Sequence, residues 1–239
     1  MFVTQVLLFS LLPALALIGA AIVPGFWRPS SHAKGMIQHF AAGVVFSVAA
    51  VEFLPEIRQQ LQPLPLALSF MAGVVLMLNL EALTHQTQRL FGRAESADGS
   101  FLIAIAIDLF LDGLLLGIGF SVGPNHGLLL AMALSLEGVT LGLAIATQLL
   151  DAGQRRMQAL GRCIGLAALL VIGAAVGASL LHGLAKDTLA MVMSFGLAAL
   201  LYLVVEELLV EAHEEKDSPI ASGMFFVGFL VFLILGQVL

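Results

Sequence analysis

Long apolar runs, broken by prolines, glycines and small clusters of charge, recur along the whole chain. They lie near residues 4–26, 34–54, 64–84, 101–121, 127–149, 160–184, 188–210 and 219–238. Each approaches the ~20 residues that an α-helix needs to cross about 30 Å of hydrocarbon. The pattern therefore predicts eight transmembrane helices with short connections, so that 1–239 forms a single membrane domain. The longest polar stretch, THQTQRLFGRAESADGS at 84–100, reads as a flexible loop. The first run has no positively charged segment before it and reads as a retained span, not a cleaved signal.

Composition agrees with this pattern. Of the 239 residues, 60% are hydrophobic and 11% charged, against roughly 25% charged in soluble domains. The expected class is an all-α integral membrane protein. A net charge of −6 leaves no basic surface for nucleic acid. The single cysteine, Cys163, excludes an intramolecular disulfide and any multi-cysteine metal site.

The basic residues predict an orientation. Arg28 and Lys34 lie between spans 1 and 2, Arg89 and Arg93 between 3 and 4, Arg155, Arg156 and Arg162 between 5 and 6, and Lys216 between 7 and 8. That places eight of the ten Lys and Arg residues on one side, with Arg58 and Lys186 on the other. Positively charged loops stay inside, so both termini are expected outside the cytoplasm, in a cell inner (plasma) membrane.

Against this background DGLLLG at 112–117 and EGVTLG at 137–142 stand out, each an acid attached to a pair of glycines inside an apolar run. An ionisable group near the bilayer centre costs roughly 2.5–3.5 kcal/mol on insertion scales and points to function. Asp112 and Glu137 fall near the middle of spans 4 and 5, which are antiparallel and joined by the short turn SVGPNHG, so the two acids should share a depth. Asp108 precedes Asp112 by one helical turn and shares its face. Three carboxylates are thus expected to converge on one cation; without it they would repel, and at least one would hold a proton. Gly113 and Gly117, with Gly138 and Gly142, are small-xxx-small pairs expected to let spans 4 and 5 approach closely. Gly161/Gly165 and Gly173/Gly177 in span 6 repeat the spacing without an acid.

A second pair of stretches resemble each other. GVVFSVAAVEFLPE (43–56) ends span 2 and GLAALLYLVVEELLVE (196–211) ends span 7, each finishing on an acid, three residues and another acid. The two spans run in opposite directions, which predicts an inverted repeat of spans 1–3 and 6–8 around 4 and 5, a 3+2+3 arrangement. Glu52, Glu206 and Glu207 are candidates for lining an entrance or exit, whereas Glu56, Glu211, Glu214, Glu215 and Asp217 read as solvated ends. His32, His39, His85 and His213 fall at the expected cytoplasmic ends, where with Glu81 and Glu207 they would form a loose metal relay. His126 and His182 lie on the other side without a clear partner.

These residues resemble those of the ZIP (Zrt/Irt-like) metal transporters over nearly the whole chain. That family has eight spans, both termini outside, a 3+2+3 inverted arrangement and a metal site between its fourth and fifth helices. Its fourth helix carries His-Asn-x-x-(Glu/Asp)-Gly, which DLFLDG at 108–113 matches in spacing, with Asp108 at the His position, Leu109 at the Asn and Asp112–Gly113 as the acid and glycine. In ALSLEG at 133–138 only Glu137–Gly138 of the fifth-helix motif is retained, with Ala133 and Leu134 where polar ligands would stand. VEFLPE and LYLVVEELLVEAHEE resemble the ends of the family's second and seventh helices. The resemblance implies a divalent ion as transported substrate, at most one oxygen-built metal site, and a homodimer.

The leading expectation is a divalent metal-ion permease of the Zn²⁺/Mn²⁺/Fe²⁺ type, moving its ion toward the cytoplasm through Asp108, Asp112 and Glu137. The alternatives are a proton-coupled cation exchanger using the same acids, and a transport-dead metal sensor or scaffold. An intramembrane enzyme is disfavoured, because His-Glu-x-x-His, Gly-x-Ser-x-Gly and Gly-x-Gly-Asp are all absent. The charge bias yields a direct prediction. Single cysteines at Met1 and Leu239 should react with membrane-impermeant reagents in intact cells or spheroplasts, and protection of either end would overturn the orientation.

Overall fold

A chain crosses lipid only if its backbone N–H and C=O groups bond within the membrane-embedded structure, and helices satisfy that requirement here. The computed structural model describes residues 2–26, 30–90, 97–181, 183–210 and 219–238, but not the side chains of 31, 81, 83–90, 97–101, 104 and 207. Among the described residues there is no strand. The helices are α1 (Phe2–Ile22), α2 (Ser31–Ser47), α3 (Leu54–Gln60), α4 (Pro63–Leu90), α5 (Ala97–Val122), α6 (Pro124–Asp151), α7 (Arg156–Leu181), α8 (Lys186–Tyr202) and α9 (Pro219–Val238). A π-helical turn, Val48–Phe53, joins α2 to α3 in one rod, and a second, Leu203–Leu208, prolongs α8. Among the described residues, eight helical segments are then long and apolar enough to cross a membrane, making this a multi-pass membrane protein.

The helices run past several of the boundaries expected from hydrophobicity. The turn expected over SVGPNHG contracts to Gly123, because α5 continues to Val122 and α6 begins at Pro124. Proline suits that first helical position: its missing N–H has no partner there in any helix, and its φ is already helical. The polar stretch 84–100 is also helical at both ends, through Leu90 and from Ala97. Its central residues, 91–96, with Arg93 among them, lie outside the described residues. The N-terminus of α2 is capped by Ser30, whose hydroxyl accepts from the Ala33 N–H at 3.3 Å.

Two apolar cores fill the bundle. One joins Val44, Val48, Phe53, Leu116, Leu130, Leu134, Met193 and Leu200, and the other Leu17, Leu109, Ile145, Leu149, Cys163 and Leu170. Large exposed side chains such as Leu8, Leu68 and Phe226 cover outer faces, as expected of surfaces that meet lipid. At one end the Arg156 guanidinium lies 5.4 Å from the centre of the Phe26 ring, so the connections after α1 and after α6 share a side. Their expected common location, from the basic residues, agrees with this contact.

Glycines set the closest helix contacts, but not between the expected partners. A Cβ added at Gly113 would collide with the Leu170 carbonyl oxygen, and one at Gly117 would lie 2.5 Å from the Ala178 nitrogen. Reciprocally, Gly173 faces the Phe110 carbonyl and Gly177 lies 2.7 Å, from an added Cβ, to the Leu114 oxygen. Gly113 and Gly117 therefore seat α5 on α7. Gly138 and Gly142 seat α6 on α1, against the Pro13 and Leu17 carbonyls. The expectation that these pairs pack spans 4 and 5 on each other is corrected: each acid faces one neighbour while its glycines, about 100° round the helix, face another.

The same helix offers an internal control, since added Cβ atoms at Gly161 and Gly165 would meet nothing within 4 Å. Gly113→Ala and Gly173→Ala should each destabilise the protein by about 1–3 kcal/mol through overpacking against backbone. Gly161→Ala and Gly165→Ala should be neutral or stabilising, by up to about 1 kcal/mol, from helix propensity. Thermal unfolding of the purified protein in detergent separates the two sets, and equal effects would refute the packing.

Candidate metal centre

The connection through Gly123 makes α5 and α6 antiparallel neighbours, which brings the middles of both helices to a common level. Asp108, Asp112 and Glu137 meet there, with one carboxylate oxygen from each lying within 4.8 Å of the others. Asp112 and Glu137 are 2% and 1% exposed, and Asp108 is half-buried. The three acids sit where the two apolar cores meet. Leu109 of one core lies beside Asp108, and Leu134 of the other lies one turn before Glu137. Leu109, Ala133 and Leu134, the residues standing at polar positions of the ZIP motifs, are fully packed core side chains.

The spacing suits a cation. Carboxylate oxygens bind Zn²⁺ at about 2.0–2.2 Å, so oxygens around one tetrahedral ion are about 3.4 Å apart. The three oxygens, within 4.8 Å of one another, are near enough for side-chain movements of about an ångström to close them on one ion. Its donors are all oxygen, a set that suits harder ions such as Mn²⁺ while still accepting Zn²⁺ and Fe²⁺.

The surroundings of the three acids are asymmetric. One turn beyond Glu137, the buried Thr140 donates its hydroxyl to the Glu137 carbonyl at 2.7 Å. Thr140 also lines a cavity of about 50 Å³ with Lys34, Ile37, Gln38, Leu143 and Ala144, between α2 and α6. Toward the opposite end of α6, Leu130 and Ala133 occupy the face that leads away from Glu137, and both are completely buried. The Leu130 side chain rests on Gly119 of α5, 3.2 Å from where a Cβ would stand. Packed apolar groups thus lie on one side of the acids, and on the other, one turn beyond Glu137, is a partly polar cavity that none of the three acids lines.

The other expected site residues have separate fates. Glu52 lies in the first π-turn, and its Oε2 is 3.6 Å from Nε2 of His126 near the start of α6. Glu206 is exposed on the second π-turn and does not join the three acids. The side chains of Glu81, His85 and Glu207, and the whole of His213 and His182, lie outside the described residues. His39 is buried, and its Nδ1 donates to the Gly35 carbonyl at 2.8 Å, whereas His32 is exposed. At the solvated end expected near Glu56, that carboxylate accepts from the Gln60 amide.

Thr140 was not among the expected functional residues, and His126 was expected to stand without a clear partner. Thr140 carries no charge and has no signal beyond standing one turn after Glu137. His126 has one: it precedes Glu137 by three helical turns, so both occupy one face of α6. In comparisons with known proteins, no family model and no curated sequence matches this chain.

Proposed function

We propose that this protein is a ZIP-like divalent metal-ion transporter whose substrate binds between Asp108, Asp112 and Glu137. The observation that carries the proposal is the convergence of these three carboxylates, two of them buried, at the middle of two membrane-spanning helices. Groups of one sign in such a place repel unless a cation or protons join them. An ion bound there displaces protons from the acids, so occupancy falls as pH drops.

Two further features favour alternating access over a fixed site. Leu130 packed on Gly119 beyond one side of the acids, and the small cavity at Thr140 one turn beyond Glu137 on the other, support a closed and an opening side for such a site. The inverted repeat is supported by the π-turns: Glu52 is the fifth of six residues in the first, and Glu207 the fifth of six in the second. Each π-turn also packs against the other span, Val48–Phe53 on α8 and Leu203–Leu208 on α2. Spans 2 and 7 are then equivalent elements of opposed repeats, which rock about the central site and carry the ion toward the cytoplasm.

The decisive experiment is ion uptake into proteoliposomes holding the pure protein, screened over Zn²⁺, Mn²⁺, Fe²⁺, Cd²⁺ and Co²⁺. Asp112→Asn and Glu137→Gln keep shape while removing charge, and each should reduce flux at least about tenfold in a folded protein, as expected for loss of a ligand. Flux near the unmodified rate in both variants would refute the site, and silence of the unmodified protein toward all five ions would favour a sensor. A second measurement addresses selectivity. Asp108→His exchanges a hard oxygen ligand for an imidazole, so competitive uptake should shift toward Zn²⁺ over Mn²⁺. An unchanged ratio would remove Asp108 from the ligand set.

A further inference from the structure

We infer that Glu52 and His126 form a second divalent-cation site, at the end of the bundle that the charge bias places outside, and that it takes a borderline ion of the zinc type. The proposal rests on the transport reading for its role as the place where the ion is first captured, but not for its chemistry.

The geometry is that of two ligands waiting for a shared ion more than that of a direct bond. The Glu52 Oε2 to His126 Nε2 separation of 3.6 Å exceeds the 2.7–3.2 Å of an N–H···O hydrogen bond. Two ligand atoms at about 2.0–2.2 Å from a tetrahedral zinc ion are about 3.4 Å apart. Both groups are largely shielded, with side chains 17% and 27% exposed for Glu52 and His126. They remain open enough for an ion to retain water as its other ligands.

Three elements build the pair, and two glycines make room for it. Glu52 projects from a π-turn, a distortion that recurs at functional sites because it redirects a side chain. Its other oxygen, Oε1, occupies space that a side chain at Gly236 of α9 would take, 2.7 Å from an added Cβ. The His126 ring lies over Gly123, with Nδ1 3.2 Å from an added Cβ. His126 and Glu137 share one face of α6, three turns or about 16 Å apart, with the buried Leu130 and Ala133 between them. An ion held at His126 therefore stands directly above the three acids, separated by an apolar layer. The imidazole also gives this outer site a softer donor set than the all-oxygen inner one.

The test is equilibrium dialysis of purified protein against Zn²⁺ in the Asp112→Asn/Glu137→Gln background, which removes the inner site. That protein should bind one zinc ion that is lost, or weakened at least about tenfold, on adding either Glu52→Gln or His126→Gln. Gly236→Ala, which displaces only the end of the Glu52 side chain, should weaken the same ion several-fold. Circular dichroism and gel filtration confirm folding, and if His126→Gln fails to fold, the Glu52→Gln and Gly236→Ala comparison decides. Unchanged zinc binding in Glu52→Gln, or a loss confined to one member of the pair, overturns the shared site. Because binding is read without flux, this result stands apart from the transport reading, which falls if the unmodified protein moves none of the ions or if the central acids prove dispensable for uptake.

Discussion

Carboxylates crowded in a poorly polarisable interior are the constraint around which this protein is organised. At a separation of 4.8 Å, two negative charges repel by about 3–4 kcal/mol at an effective dielectric constant near 20. The attraction of each for a dication at about 2.2 Å is roughly four times as large under the same assumption. A divalent ion bound there would outweigh the mutual repulsion of three acids, and protons are the alternative without one. Binding and protonation are two answers to one electrostatic problem, which is why a site of this kind couples ion occupancy to pH.

The packing leaves that problem in place. α5 is seated on α7 by interlocked glycines, and α6 on α1 by Gly138 and Gly142, whereas α5 and α6 contact each other less extensively. The acids therefore lie between two helices that are held mainly by other neighbours, with α1 packed on α7 as well, and side chains as long as aspartate and glutamate have room there. Had the glycines drawn α5 and α6 together, backbone would fill the space that the carboxylates occupy.

The π-turns extend the same logic to the ends of the bundle. Each widens a helix at a segment that carries acids, and each packs against the other's span. In the first, the result is the approach of Glu52 to His126, a contact between residues far apart in sequence.

The number of spans, their approximate limits and the membrane class were determined by the sequence alone, because the need to bury backbone polar groups in lipid leaves a run of about twenty apolar residues only one regular form. The candidate ligands were readable for a related reason: Asp108, Asp112 and Glu137 conflict with their apolar surroundings, and the spacing along two neighbouring helices puts them at one level. Helix partnership was not readable. Gly113/Gly117 and Gly161/Gly165 share one pattern, yet the first pair meets backbone and the second meets nothing within 4 Å. Which glycine face meets which helix depends on rotations set by the whole bundle, and no local spacing encodes them. The π-turns and the Glu52–His126 approach were likewise decided only in three dimensions, since an extra residue in a turn leaves the hydrophobic pattern unchanged while redirecting every side chain near it.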